Sequence, residues 1–409
     1  MTQRSVSPTT PAVQRQTARS AGRLATRVSL AAALAVSVTA GCADPVITDP
    51  NNTDLGGMNP NSDGGMTSTT VKYSATPATD PAILSESTMP AWRQWKRDPH
   101  FITDQGDQYL FFAGSPFATE AWTLGFYKQT GNAPTASSPL TQVVLGGTAT
   151  WDAGDMTAPM VRLNVGSNKF TLYYAANGAP NKPTYVNQIG IATSTNGTTW
   201  SNHSATPALA VPAFDGVMDN SNPTTARADA FGVTDPWVMT DGAETVMYYA
   251  GLDCSAGTSC TSSIFRSVSA DGGLTFPPGT VVLAGRQGVA EELGGVGGPS
   301  IYVANGLYTM AYTAFPAPLP RNRTNLRRAV TTGTIGIATS KDGKTWTNAV
   351  ASGNVLVNKA AGSYRSQGAV APSLYLSGQL LKLYFGATID QSGVGVFYSI
   401  GTADVMVAQ

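Results

Sequence analysis

One segment plan recurs five times along the chain, and that repetition constrains the fold more than any single motif. "DPHFITDQGDQYLFFAG" at 98, "APMVRLNVGSNKFTLYYAA" at 158, "DPWVMTDGAETVMYYAG" at 235, "GPSIYVANGLYTMAYTA" at 298 and "APSLYLSGQLLKLYFGA" at 371 each open with a small or acidic residue and a proline. A short strand, a polar or glycine turn and a second strand rich in Tyr and Phe follow. The prolines, Pro99, Pro159, Pro236, Pro299 and Pro372, stand 60, 77, 63 and 73 residues apart. Further strands follow in several copies: "IGIATSTNGTTW" ends at Trp200, "IFRSVSADGGLTF" at Phe276 and "IGIATSKDGKTW" at Trp346. Their Asn-Gly and Asp-Gly pairs supply the positive φ angles of tight hairpins. Four short strands per unit in five copies predict an all-β chain folded as a five-bladed β-propeller.

Composition agrees. Gly and Pro together number 69 of 409 residues, 12% are charged and the net charge is zero. A nucleic-acid binder would carry a basic excess to neutralise phosphates, so that class of partner is excluded.

The first 43 residues contain no Asp or Glu, and Arg15, Arg19, Arg23 and Arg27 lead into "VSLAAALAVSVTAGC". A basic region, a short apolar core and small residues before a cut site predict an export signal. Its end, Thr39-Ala40-Gly41-Cys42, resembles a bacterial lipobox, which makes Cys42 the expected lipid-bearing residue and a membrane the expected anchor. The expected organisation is a signal over 1–42, a flexible tether over 43–74 poor in apolar groups, and the propeller over 75–409. The protein is then lipid-anchored to the cell envelope or secreted, and is expected to act as a monomer. Cys254 and Cys260 flank "SAGTS", and a disulfide closing that loop is the natural reading for an exported chain.

The residue ahead of each proline lines one mouth of the central funnel. Asp98 and Asp235 hold that place in two copies, whereas Ala158, Gly298 and Ala371 hold it in the others, so the turn itself does not demand Asp. Pro99 is expected to keep Asp98 in an extended turn. Glycoside hydrolysis needs paired carboxyl groups, one protonated and one ionised. Asp98, Asp235 and Glu292 (or its neighbour Glu291) are the candidate acids. Trp95, Trp151 and Trp237 are candidate sugar platforms, with Arg97, His100 and Arg365 as further contacts to substrate. "SADGGLTF" matches the Asp-box pattern, and Asp271, Asp342 and Asn196 read as turn-forming residues.

The five-copy plan, "RDP" at Arg97-Asp98-Pro99, "TDP" at Thr234-Asp235-Pro236 and the "IGIATS-DG-TW" strands resemble the five-bladed propeller glycosidases of families 43, 32, 68 and 130. The resemblance implies a glycosidase in which Asp98 acts as base or nucleophile, Asp235 as stabiliser and Glu292 as general acid. It implies no organic cofactor, and a structural Ca²⁺ in the channel as the one ion. Because no Glu-Gly-Pro motif marks the acid, a carbohydrate-binding propeller without catalysis is the alternative. A sialidase, suggested by the Asp boxes, ranks third, since no Phe-Arg-Ile-Pro motif occurs and the repeats number five.

Overall fold

A computed structural model describes residues 71–83 and 94–408, apart from 117–121, 136, 146–150, 165–168, 179–186, 202–204, 212–228, 230, 256–258, 321–331, 352 and 392–394. The export signal and Cys42 lie outside the described residues, as does most of the expected tether. No α-helix occurs among the described residues, and the strands form five blades.

In the first blade Trp95–Asp104, Asp107–Ser115, Thr123–Thr130 and Leu140–Gln142 pair in sequence order. The second blade contains Met156–Leu163, Phe170–Ala176 and Gln188–Ser194, and the third Val233–Asp241, Glu244–Asp253, Ser259–Ser269 and Thr280–Ala284. Gly295–Ala304, Leu307–Phe315, Thr334–Ser340 and Thr347–Asn348 make the fourth. The fifth blade is Gly368–Ser377, Leu380–Gln391 and Gly395–Ala408, completed by an N-terminal strand. That strand, Lys72–Pro77, runs antiparallel to the last one from Lys72 opposite Ala408 to Pro77 opposite Ala403. The two ends of the domain therefore meet in one blade and close the ring. Residues 72–74, expected from sequence in the tether, belong to this strand.

Every innermost strand carries the same defect. Asp98, Ala158, Asp235, Gly298 and Ala371 have φ of 52, 49, 53, 57 and 49°. At each one the pairing register slips by a residue, between Arg97 and His100 in the first blade and at equivalent points in the others. The expectation of an extended turn at Asp98 is thus corrected. Pro99 does exclude the right-handed helical region, but the left-handed region stays open, and a β-bulge uses it to bend the strand. Left-handed backbone is tolerated by Gly and Asp and costs an alanine about 1 kcal/mol. The bulge turns each inner strand so that its proline faces the axis, and all five prolines line one narrow channel.

Between blades the core is aromatic. Tyr174 and Tyr312 lie over Gly190 and Gly336 of the next strand, where a Cβ would come within 2.5 and 2.3 Å of the ring. Tyr173 and Tyr248 donate from the second and third blades to Gly273 O and Gly343 O, the turns of the next blade's Asp box. Within those boxes Asp271 Oδ1 accepts from the amides of Leu274 and Thr275, Asp342 Oδ1 from those of Lys344 and Thr345, and Asn196 Oδ1 from those of Thr198 and Thr199. The Ser269 and Thr275 hydroxyls, which also donate to Asp271, and the amides, which lead at Asp342, hold both carboxyls well below the usual carboxylate range. The boxes are structural turns, as their sequence suggests. Cys254 and Cys260 form the expected disulfide.

Candidate active site

Three of the bulge residues, Asp98, Asp235 and Ala371, line the funnel, a cavity of about 70 Å³. Asp98 and Asp235 line both this funnel and the channel below it. Arg97, Thr234, Ser262, Thr313 and Tyr398 contribute the other polar side chains of the wall.

Asp98 Oδ2 accepts from Arg97 Nε at 2.8 Å and from the Ala158 amide of the second blade at 3.1 Å. The Arg97 guanidinium is itself placed over two rings, 4.9 Å from the centre of Trp122 and 5.9 Å from that of Tyr398. Asp235 accepts from the Thr234 hydroxyl at 3.2 Å and from the Gly298 amide of the fourth blade. Thr313 Oγ1 does the same for the Ala371 amide of the fifth, at 2.8 Å. In three of the five blades, then, a side chain accepts the bulge N–H of the next blade. Each aspartate fastens two blades together and faces the funnel as well.

Burial, and secondarily the neighbouring charge of Asp98, push the Asp235 carboxyl up to about 6, against a weaker opposing pull from Arg97. Two carboxyl groups in one funnel, one of them ion-paired and the other inclined to hold a proton near neutrality, form the kind of pair that acid–base chemistry uses.

His100 lies just below, in the channel. Its Nε2 donates to Val161 O at 3.0 Å, its ring meets Trp237 edge-on at 5.3 Å, and burial lowers it to about 4, so the imidazole is neutral. His100 and Trp237 line the channel rather than the funnel. Among the described residues no group of three His, Cys, Asp or Glu side chains is placed to hold a metal.

Glu292 is not brought to the funnel. It ends a single 3₁₀ turn, Ala290–Glu292, and accepts from Arg286 N at 2.8 Å, Nε at 2.9 Å and Nη2 at 2.7 Å, and from the Tyr312 hydroxyl at 2.9 Å. Although burial alone would raise it, these donors keep its carboxyl below the usual range, the reverse of what a general acid needs. The repeat explains the arrangement. Asp152 accepts from Tyr174, Asp229 from Tyr249 and Glu292 from Tyr312. Each of these acids stands six residues ahead of its bulge, at 158, 235 and 298. In the first and fifth blades Phe112 and Phe385 replace the tyrosine, and position 92 or 365 carries no acid. Glu292 is therefore the fourth blade's tyrosine acceptor, and its role as general acid is corrected.

Arg365 occupies that same place in the fifth blade and donates from Nη1 to Asn358 O, away from the funnel. Trp95 is packed in the core against Trp122 and Tyr398, at 6.3 and 5.7 Å between ring centres. Trp151 stacks on Tyr174 at 6.1 Å. None of these three lines the cavity. Sequence reasoning missed Thr313, Tyr398, Ser262 and Phe315, which reach it from second and third strands that carry no proline marker.

No family model and no curated protein matches the chain. Solved structures do. BT0996, in its complex with RGII, aligns with TM-score 0.57 and 13% identity over 81% of this protein and 92% of that one. A thermostable family-43 glycoside hydrolase aligns with TM-score 0.53 and 19% identity over 75% and 88%. The catalytic domain of the Coprinopsis cinerea GH62 α-L-arabinofuranosidase gives 0.54 and 13% over 83% and 98%. The chain has the five-bladed propeller fold of these glycoside hydrolases. At such identities the likeness fixes the architecture and leaves the chemistry to the site.

Proposed function

We propose that the funnel takes a glycan end and that Asp98 and Asp235 cleave its glycosidic bond. The observation that carries this reading is the pair itself: two aspartates at equivalent points of the ring, one ion-paired with Arg97 and the other raised to about 6. Asp235 would carry the proton given to the leaving oxygen, and Asp98 would supply the carboxylate at the reacting carbon or at its water. The similarity in fold to glycoside hydrolases supports the substrate class. Upstream, the basic and apolar N-terminal segment supports export with a lipid on Cys42, which mass spectrometry of the membrane fraction would detect.

The test is a panel of aryl glycosides and polysaccharides assayed with the mature domain, alongside Asp98→Asn and Asp235→Asn. Turnover lost in both variants supports the roles, and turnover retained in both refutes them.

A carbohydrate-binding propeller without catalysis is the second reading. It is favoured by the engagement of Glu292 with Arg286 and by the use of both aspartates as clamps on the next blade's amide. Glycan-array binding with no release of reducing sugar would establish it.

A further inference from the structure

The two aspartates of the ring are equivalent in place and unlike in company. The residue ahead of the bulge donates to each, Arg97 Nε to Asp98 Oδ2 at 2.8 Å and Thr234 Oγ1 to Asp235 Oδ1 at 3.2 Å. Thr157, Gly297 and Val370 hold that place where the bulge residue is Ala or Gly. One aspartate is therefore bonded to a cation and the other to a neutral hydroxyl.

Rings seat the cation. The Arg97 guanidinium lies 4.9 Å from the centre of Trp122 and 5.9 Å from that of Tyr398, and these two rings stand at 83° to each other. Trp122 is fixed in turn by the second blade. Its amide donates to Asp155 Oδ1 at 3.2 Å, and its carbonyl accepts from Met156 N at 3.0 Å. The Arg97 side chain keeps only 12% of its exposure, and its bond to Asp98 comes from the inner nitrogen. The Ala158 amide reaches the same Oδ2 at 3.1 Å, so one carboxylate oxygen is held twice. No described residue donates to Oδ1, which is left for a ligand.

We propose that Arg97 is a positioning residue: seated on Trp122 and Tyr398, it fixes Asp98 so that Oδ1 is the oxygen offered to the reaction, an inference that rests on the glycosidase function above. A lysine would keep the charge and lose the seat, because an ammonium is a point charge with no plane to lie on a ring. The charge has a second effect. The titratable groups that share the funnel and channel with Asp235 are Asp98, Arg97, Tyr398 and His100. Burial first and Asp98 second hold Asp235 up, and Arg97 pulls against both.

Steady-state kinetics on the aryl glycoside that the mature domain turns over fastest test the assignment. The variants are Arg97→Thr, which copies the third blade, and Arg97→Lys, with rates scaled to the folded fraction from thermal melts. Both should lose about a hundredfold in kcat with KM little changed. The limb of the pH profile near 6 should move to higher pH in Arg97→Thr and hold in Arg97→Lys, a difference that loss of folded protein does not produce. If Arg97→Thr fails to fold, Arg97→Lys decides by its kcat. A fall in kcat of less than about tenfold, a loss carried by KM, or an unmoved limb in Arg97→Thr overturns the proposal and leaves the glycosidase function standing. If the wild type turns over no glycoside, both fail together.

Discussion

Replacing Glu292 by glutamine keeps the shape of the side chain and removes its charge. The carboxylate is buried and accepts four hydrogen bonds, three from Arg286 and one from Tyr312. Arg286 retains 32% of its side-chain exposure, so the pair lies between the buried and the exposed limits. Breaking a fully buried pair costs about 3–5 kcal/mol, and an exposed one at most about 1 kcal/mol. Water reaching Arg286 places Glu292→Gln near 2 kcal/mol, or roughly 3–5 °C in Tm for a domain of this size. Tyr312→Phe removes one donor and should cost about 1 kcal/mol. The pH dependence has a definite sign. The folded-state value lies below the unfolded one, so the stabilisation is complete above pH 4.5 and is lost as pH falls through the folded value. The gap in Tm between wild type and Glu292→Gln should therefore close in acid. Calorimetry from pH 3 to pH 7, combined with turnover and glycan binding at neutral pH, tests this account. It requires a loss of Tm with function unchanged. A hundredfold loss of turnover at unchanged Tm would refute the structural role and restore Glu292 as an acid of the site.

Asp235 should behave in the opposite sense. Its folded-state value is raised to about 6, so stability is highest below pH 3.8 and is lost as pH rises through 6; thermal melts should show Asp235→Asn, which keeps an acceptor for the Gly298 amide, more stable than wild type at pH 7 by on the order of 2 kcal/mol. Asp271→Ala frees the amides of Leu274 and Thr275 and should cost about 1 kcal/mol, the worth of a lost cap, in a denaturant titration. Reducing the Cys254–Cys260 bond, which closes a short loop six residues apart, should lower stability by about 2 kcal/mol with Tm as the readout.

The fold is legible in the sequence because the propeller repeats its punctuation. Five prolines with a strand on either side are visible without alignment, and the channel they line confirms the register read from them. The bulge is not legible. A proline narrows the preceding residue's choices without saying which remaining region the closing ring will impose, so the sequence alone points to an extended Asp98. Glu292 misleads although its signal is present. Asp152, Asp229 and Glu292 share one offset from the bulge, and each faces a tyrosine where the two other blades carry phenylalanine. Trp95 lies near its bulge in sequence, but the period-two alternation of its strand turns it into the core, and Trp151, in a turn ahead of Met156–Leu163, packs on Tyr174. Thr313 and Tyr398 reach the funnel from strands whose pattern is that of ordinary buried sheet, and only the closed ring brings them there.

The pH profile of kcat/KM for glycoside hydrolysis, with Asp235→Asn as its control, tests the central claim most directly. If Asp235 donates the proton, activity falls as pH rises through about 6, and the variant loses both that limb and most of its rate. Unchanged activity in Asp235→Asn, or a profile that is flat from pH 5 to pH 7, would contradict the account.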